Sequence, residues 1–244
     1  MCRHLAYLGP PLSLKEALID PPYGLYRQSW APRRQRFGTV NADGFGVGWY
    51  ADGDPVPARY RREVPIWADD SFADVARVTR TGALLAAVRS ASEATAHDAA
   101  AAAPFAAGRW LFSHNGRLDG WPASAAALAA TLASGELLDL EARVDSALLW
   151  ALILHRLRSG VPAGAALRDT LAAVDKEGLT GQFNFLLTDG HTIAASARGD
   201  TLCYREAGGA VYVASEPADE ETGWRDVPDN SVLTVSLHEG IEIQ

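Results

Sequence analysis

The chain has 244 residues, 48% of them apolar, which is enough to bury a substantial core within one domain. Its formal net charge of −8 argues against a nucleic-acid partner, because binding a phosphate backbone needs a clustered basic surface. No segment reaches the roughly 20 apolar residues of a membrane span, and the start carries no secretion-signal pattern. We expect a cytoplasmic protein that binds a small molecule and contacts neither nucleic acid nor membrane, and we leave open whether it is a homo-oligomer.

The opening residues 2–8 alternate their side chains as a strand does. Cys2 and His4 share one face of this strand, which is expected to stop at residues 9–11, a Gly-Pro-Pro run. The other elements predicted from hydrophobic periodicity are a capped helix at 14–18, a strand at 45–50, a helix at 70–80, strands at 83–88 and 110–113, and helices at 123–133, 144–157 and 162–175.

The last third changes to short strand-like segments separated by turn residues. Asp189-Gly190 and Gly208-Gly209 are typical hairpin turns. The predicted strands of this region are 182–187, 192–197, 201–205, 210–214 and 231–237. Helices segregated from antiparallel strands predict an α+β fold in which sheet packs on sheet with helices outside.

Cys2 is the first candidate for catalysis. Removal of Met1 would leave one residue carrying both a thiol and a free α-amino group. An α-amino group has a pKa of about 7.7 to 8.0, so it can serve as the base for the thiol near neutral pH. The alternative is an ordinary surface or packed thiol. Two cysteines, Cys2 and Cys203, are too few for a disulfide framework.

Asn115 and Gly116 follow an apolar strand and are candidates for an oxyanion hole. An amide side chain and a backbone N–H at a strand end could both donate to a tetrahedral intermediate. The alternative is that Asn-Gly forms a hairpin turn.

Arg89 and Asp145 are candidates for binding the two α-groups of a glutamyl substrate. A guanidinium suits the carboxylate, and a nearby carboxylate suits the ammonium. Singly, each has an ordinary explanation, Arg89 as a surface arginine and Asp145 as a charge at a helix N-terminus.

Taken together, several segments resemble the class II glutamine amidotransferase domain of the N-terminal-nucleophile hydrolases. The matching segments are residues 1–7, 41–49, 88–92, 112–116, 144–146 and 183–185. The resemblance implies a four-layer αββα sandwich that spans residues 1–244, with the mature chain starting at Cys2. It implies no cofactor, and the His and Cys spacing fits no zinc pattern.

The resemblance also implies roles for individual residues. Cys2 matches the nucleophile, Asn115 and Gly116 the oxyanion hole, and Arg89 and Asp145 the clamp on the glutamyl α-groups. Two further substrate-binding residues are expected, His114 and Ser92, the second where the family often has a threonine. The run Arg-Ser-Ala-Ser-Glu at residues 89–93 departs from the family's Arg-Trp-Ala-Thr-His, which leaves the outer pocket open.

The sequence ends at Gln244 without the synthase domain that amidotransferases use to consume ammonia. We therefore expect hydrolysis, and residues 1–9 and 41–49 most resemble stand-alone γ-glutamyl hydrolases of ergothioneine biosynthesis. A glutaminase, alone or supplying ammonia to a separate subunit, is the alternative, and a non-catalytic binding module is a second one. The implied substrate carries a trimethylated ammonium, for which the candidate partners are Trp30, Phe37, Asp43 and Tyr50.

Overall fold

The computed structural model describes residues 2–91, 98–237 and 240–244. Ser92, one of the predicted substrate-binding residues, lies outside this part of the chain. None of the helices in these ranges combines the length and the apolar character that a membrane crossing requires.

The described residues form thirteen β-strands and seven α-helices. The strands are β1 Arg3–Ser13, β2 Phe45–Trp49, β3 Ala58–Arg62, β4 Arg80–Val88, β5 Phe105–Ala107, β6 Trp110–Leu118, β7 Gly181–Thr188, β8 Thr192–Ala197, β9 Cys203–Ala207, β10 Ala210–Ala214, β11 Arg225–Asp226, β12 Ser231–Ser236 and β13 Gly240–Ile243. The α-helices are α1 Leu14–Leu18, α2 Leu25–Gln28, α3 Phe72–Val78, α4 Ala126–Ala129, α5 Ser134–Leu138, α6 Asp145–Arg158 and α7 Ala163–Lys176.

The described strands form two antiparallel sheets. The β1 sheet has the order β11-β9-β10-β1-β4-β2-β3, and the β6 sheet has the order β13-β12-β8-β7-β6-β5. β1 therefore lies inside its sheet, paired with β10 on one side and β4 on the other.

Three buried apolar clusters hold the layers together. One packs helices α1 and α3 on the β1 sheet and includes Leu5 and Phe72, and a second lies between the two sheets and includes Ala6 and Leu111. The third packs α6 and α7 on the β6 sheet, with the Phe112 and Trp150 rings stacked at 5.2 Å. The layers are thus α, β, β, α, which confirms the predicted α+β four-layer sandwich.

β1 continues beyond the point where the sequence predicts its end. It runs to Ser13, but its register against β4 shifts between Leu8 and Leu12. Proline has no N–H to donate to a ladder, so the Gly-Pro-Pro run is accommodated by this irregularity. The predicted break was wrong, because pairing with β4 resumes after it.

The predicted helix at residues 123–133 was too long. The structure has a 3₁₀ turn at Ala123–Ala125 followed by the four-residue α4. The Thr131 hydroxyl donates to the Leu128 carbonyl at 2.7 Å, a local bond that competes with helix continuation. The sequence also gave no signal for the short elements α2, α5, β3, β5, β11 and β13.

Candidate active site

Cys2 lies at the start of β1, at the end of the sandwich where β4 also ends. Arg3 pairs with Val88, so extending the same register sets Cys2 opposite Arg89. Directly opposed residues in an antiparallel pair carry their side chains on one face. His4 and Ala6, the next residues on the Cys2 face, point between the two sheets. The expected nucleophile and the expected carboxylate-binding arginine are therefore cross-strand neighbours on the inner face.

Arg89 is largely buried and held by the chain that leads into β2. Its Nη1 donates to the Asp43 carbonyl at 3.3 Å, and its backbone N–H donates to the Gly44 carbonyl at 2.8 Å. The Asp43 carboxylate in turn accepts the Ala91 N–H at 2.8 Å. These contacts fix the backbone on both sides of Arg89.

The strand that delivers Asn115 and Gly116 differs from its prediction. We expected it to end at residues 114–116, but β6 runs on to Leu118, and Asn115 and Gly116 pair with Asn184 and Phe183 of β7. The hairpin-turn alternative is therefore wrong. Eight residues of cross-strand register outweigh the local turn preference of the Asn-Gly pair.

Asn115 is fully buried and faces the β1 sheet. Ser113, two residues earlier on the same face, contacts His4 with Oγ and Nδ1 3.2 Å apart. The Asn115 Nδ2 donates to Asp200 at 3.1 Å, and its Oδ1 has no hydrogen-bond partner in the described part of the chain. One amide hydrogen remains available, since an Asn side chain carries two.

Gly116 presents its backbone N–H away from β7. Its cross-strand partner Phe183 directs both N–H and carbonyl toward β8, to Arg198 and Ser196. Gly116 and Phe183 are thus a non-hydrogen-bonded pair, in which both residues turn their backbone polar groups away from each other. β5 covers β6 only up to Phe112 in the described pairing, so this edge is open beside Gly116.

Asp145 begins α6 beside the same edge of β6. Its Oδ2 accepts the Leu118 N–H at 2.8 Å, and its Oδ1 accepts the Ser146 N–H at 2.7 Å. Leu118 is two residues beyond Gly116, so their N–H groups point to the same side of the strand. A carboxylate has about four acceptor positions, so Asp145 keeps capacity for a ligand.

His114 lies on the opposite face of β6, under α6. Its Nε2–H donates to the Gln182 carbonyl at 2.8 Å, and its Nδ1 lies 3.0 Å from the Ser146 hydroxyl. Burial lowers the pKa of His114, while the nearby Asp145 acts to raise it. Both ring nitrogens of a neutral His114 are therefore engaged within the protein.

Of the four candidate partners for a trimethylated ammonium, Asp43 lies beside Arg89, and Phe37 is exposed in the same connection. Trp30 is packed edge-on against two other aromatic rings. Tyr50 is placed far from the site: its hydroxyl donates to the carbonyls of Arg109 and Thr188, at the far end of β2. That end lies about 15 Å along the strand from Phe45, which pairs with Val88.

The sequence analysis did not single out three buried polar residues near the start of β1. They are Arg3, Asp200 and Glu216. The Glu216 carboxylate accepts the backbone N–H groups of Arg33 and Arg34, both at 2.8 Å, and so anchors the connection between α2 and β2. Asp200 follows an apolar strand, the same pattern that singled out Arg89, and could have been found by that signal.

The family model for class II glutamine amidotransferases matches residues 23–207. The chain belongs to this family. Its curated relatives include proteins named gamma-glutamyl-hercynylcysteine sulfoxide hydrolase. The Mycolicibacterium smegmatis protein is 42% identical over 237 residues, 96% of each chain. The Mycobacterium tuberculosis protein is 40% identical over 97% of this chain and 93% of its own.

Solved structures agree with this class II amidotransferase assignment. A glutamine aminotransferase class-II domain protein from Silicibacter pomeroyi superposes with a TM-score of 0.71 at 25% identity, covering 100% of this chain and 98% of that one. The Bacillus subtilis glutamine phosphoribosylpyrophosphate amidotransferase gives a TM-score of 0.70 at 17% identity, and the match covers 49% of that chain. The second likeness shows the shared fold alone.

Proposed function

We propose that the chain hydrolyses γ-glutamyl-hercynylcysteine sulfoxide to glutamate and hercynylcysteine sulfoxide, a step of ergothioneine biosynthesis. The observation that carries this proposal is the 42% identity to a hydrolase of that name over 96% of both chains. The placement of Cys2 opposite Arg89 supports it, because a γ-glutamyl substrate needs a nucleophile near a cation for its α-carboxylate.

In the proposed mechanism, removal of Met1 frees the α-amino group of Cys2. This amine accepts the thiol proton, and the thiolate attacks the γ-carbonyl carbon. The Asn115 side-chain amide and the Gly116 N–H stabilise the resulting oxyanion. The ammonium group then returns its proton to the departing amine, leaving a glutamyl thioester on Cys2.

Water completes the cycle. The same amino group removes a proton from water, the hydroxide attacks the thioester carbonyl, and glutamate leaves as the thiol is regenerated. Arg89 binds the substrate α-carboxylate and Asp145 its α-ammonium. Ser92 remains a proposed contact to the carboxylate, and His114 supports β6 beneath the oxyanion hole.

A comparison of substrates tests the proposal. Purified protein should release glutamate from a bulky γ-glutamyl thioether sulfoxide with a far higher kcat/KM than from glutamine, and the Cys2→Ala variant should release none from either. Preference for glutamine would instead support a glutaminase that acts alone or feeds a partner subunit. Unimpaired turnover by the Cys2→Ala variant would show that Cys2 is not the nucleophile.

A further inference from the structure

Arg3 connects the nucleophile residue to the opposite sheet. This arginine is fully buried, its Nε donates to the Cys2 carbonyl at 2.9 Å, and its Nη2 makes an ion pair with Asp200. A guanidinium presents its donors in a fixed plane, so one side chain can hold two acceptors in a defined relative position. Asp200 lies in the connection that passes from β8 in the β6 sheet to β9 in the β1 sheet.

The same carboxylate oxygen holds Asn115. Asp200 Oδ2 accepts both from Arg3 Nη2 and from Asn115 Nδ2, the latter at 3.1 Å. An ionised carboxylate can only accept hydrogen bonds, so it requires the NH₂ end of the amide to face it. One N–H of Asn115 is thereby fixed on Asp200, which sets the direction of the second.

Asp200 is itself held firmly in place. Its Oδ1 accepts the Thr201 N–H at 2.9 Å. Asn184, the cross-strand partner of Asn115, accepts the Asp200 N–H at 3.2 Å and donates to the Asp200 carbonyl at 2.9 Å. An aspartate whose side chain and backbone are both held by hydrogen bonds is suited to orienting another group.

We infer that the buried Arg3–Asp200 ion pair is a positioning unit that ties Cys2 to Asn115 and keeps the second Asn115 N–H directed at the oxyanion. The inference rests on the proposed function, since it assigns the pair to that reaction. Neither residue touches the substrate, and Asp200 acts through Asn115.

A double-mutant cycle tests the inference. The amide of Asp200→Asn can turn its NH₂ group toward Asn115 and so no longer fixes the orientation of the Asn115 amide. We therefore expect kcat to fall about 10- to 100-fold. The upper value is about the loss that follows removal of an oxyanion donor. KM should stay near the wild-type value. In an Asn115→Ala background, Asp200→Asn should cause no further loss of kcat, because the group through which it acts is gone.

Controls separate positioning from damage to the fold. Asp189→Asn alters another buried, ion-paired aspartate, which lies in the β7–β8 turn at the far end of the β6 sheet, and should keep wild-type kcat. Iodoacetamide should alkylate Cys2 at the wild-type rate in Asp200→Asn, because alkylation needs no oxyanion hole. If Asp200→Asn does not fold, the pair Arg3→Gln with Asp200→Asn leaves no uncompensated buried charge and should show the same fall in kcat.

The outcomes are distinct. Wild-type kcat in the folded Asp200 variants, or losses that add fully to those of Asn115→Ala, would overturn the inference while leaving the proposed hydrolase standing. Wild-type kcat in Asn115→Ala alone would instead overturn the oxyanion assignment on which the proposed mechanism depends.

Discussion

Gly116 lies where the structure leaves no room for a side chain. A Cβ at this position would lie 1.9 Å from the Gln182 carbonyl oxygen and 2.6 Å from His114 Nε2. Both atoms belong to the hydrogen bond that holds His114 against β7. A side chain here would therefore push the strands apart and rotate the N–H proposed for the oxyanion hole.

We predict that Gly116→Ala lowers kcat by about 100-fold or more, as loss of an oxyanion donor does. The free energy of unfolding should also fall by about 1–3 kcal/mol, as for overpacking of a core. Gly135→Ala is the matched control, because nothing lies within 4 Å of a Cβ at that helical position. Urea unfolding and initial-rate kinetics measure the two effects, and a fully active Gly116→Ala would contradict the placement of the N–H.

The sequence could not predict which way the candidate side chains point. The register of β1 against β4 sets the candidates Cys2 and Arg89 opposite each other. The orientation of His114 is an example, because alternation along β6 turns this side chain toward α6 while Asn115 faces Asp200. Which face of a strand is inside depends on the packed sheets, which a short motif does not contain.

Among the elements, α1 shows how local chemistry was read correctly from the sequence. Ser13 caps the helix by accepting the Glu16 N–H at 3.1 Å, and the Glu16 carboxylate accepts the Ser13 N–H at 2.7 Å. The sequence predicted a capped helix at residues 14–18, and its cap in the structure is this reciprocal capping box.

The Ser13→Ala variant should lose about 1 kcal/mol of unfolding free energy, the usual contribution of an N-cap side chain. Its kcat should be unchanged, because α1 packs on the outer face of the β1 sheet, away from Cys2. Chemical denaturation and glutamate-release assays report these quantities. A variant as stable as the wild type would show that the cap contributes nothing.

β6 shows where local patterns fail. Asn-Gly strongly favours a turn, yet pairing with β7 continues through it from Leu111 to Leu118. The strands β5, β11 and β13 lie at or near the sheet edges and were not predicted, because two to four residues are too few to show a period. The edge strand β3 has five residues but reads Ala-Arg-Tyr-Arg-Arg, which shows no apolar alternation.

The fold buries His4 between the two sheets, and this burial makes the free energy of unfolding depend on pH. Burial, together with the neighbouring charge of Arg3 and with His114, lowers the pKa of His4 from 6.5 to about 3. In the unfolded chain His4 binds a proton below about pH 6.5, whereas in the fold it stays neutral until about pH 3. The unfolded state therefore binds more protons in this window, and stability falls as the pH drops through it.

We predict that the free energy of unfolding decreases from about pH 6.5 toward pH 3, and that His4→Gln flattens this slope. His114 contributes in the same direction, since burial lowers its pKa as well. Urea titrations at several pH values would test this, and an equal slope in His4→Gln would contradict it.

The layered architecture could be expected from the sequence because the long helices α6 and α7 precede an uninterrupted run of antiparallel strands, β7 to β13. The Arg3–Asp200 contact could not be predicted from the sequence. Its partners are 197 residues apart in the chain, and only the assembled sandwich brings them together. The same holds for the connection anchored by Glu216, which is 183 residues from Arg33.

The most direct test uses one preparation carrying a cleavable peptide in front of Cys2, with mass spectrometry of the N-terminus before and after cleavage. Glutamate release from γ-glutamyl-hercynylcysteine sulfoxide should begin only when the α-amino group of Cys2 is exposed. An uncleaved protein that turns over as fast as the cleaved one would contradict an N-terminal cysteine acting as its own base.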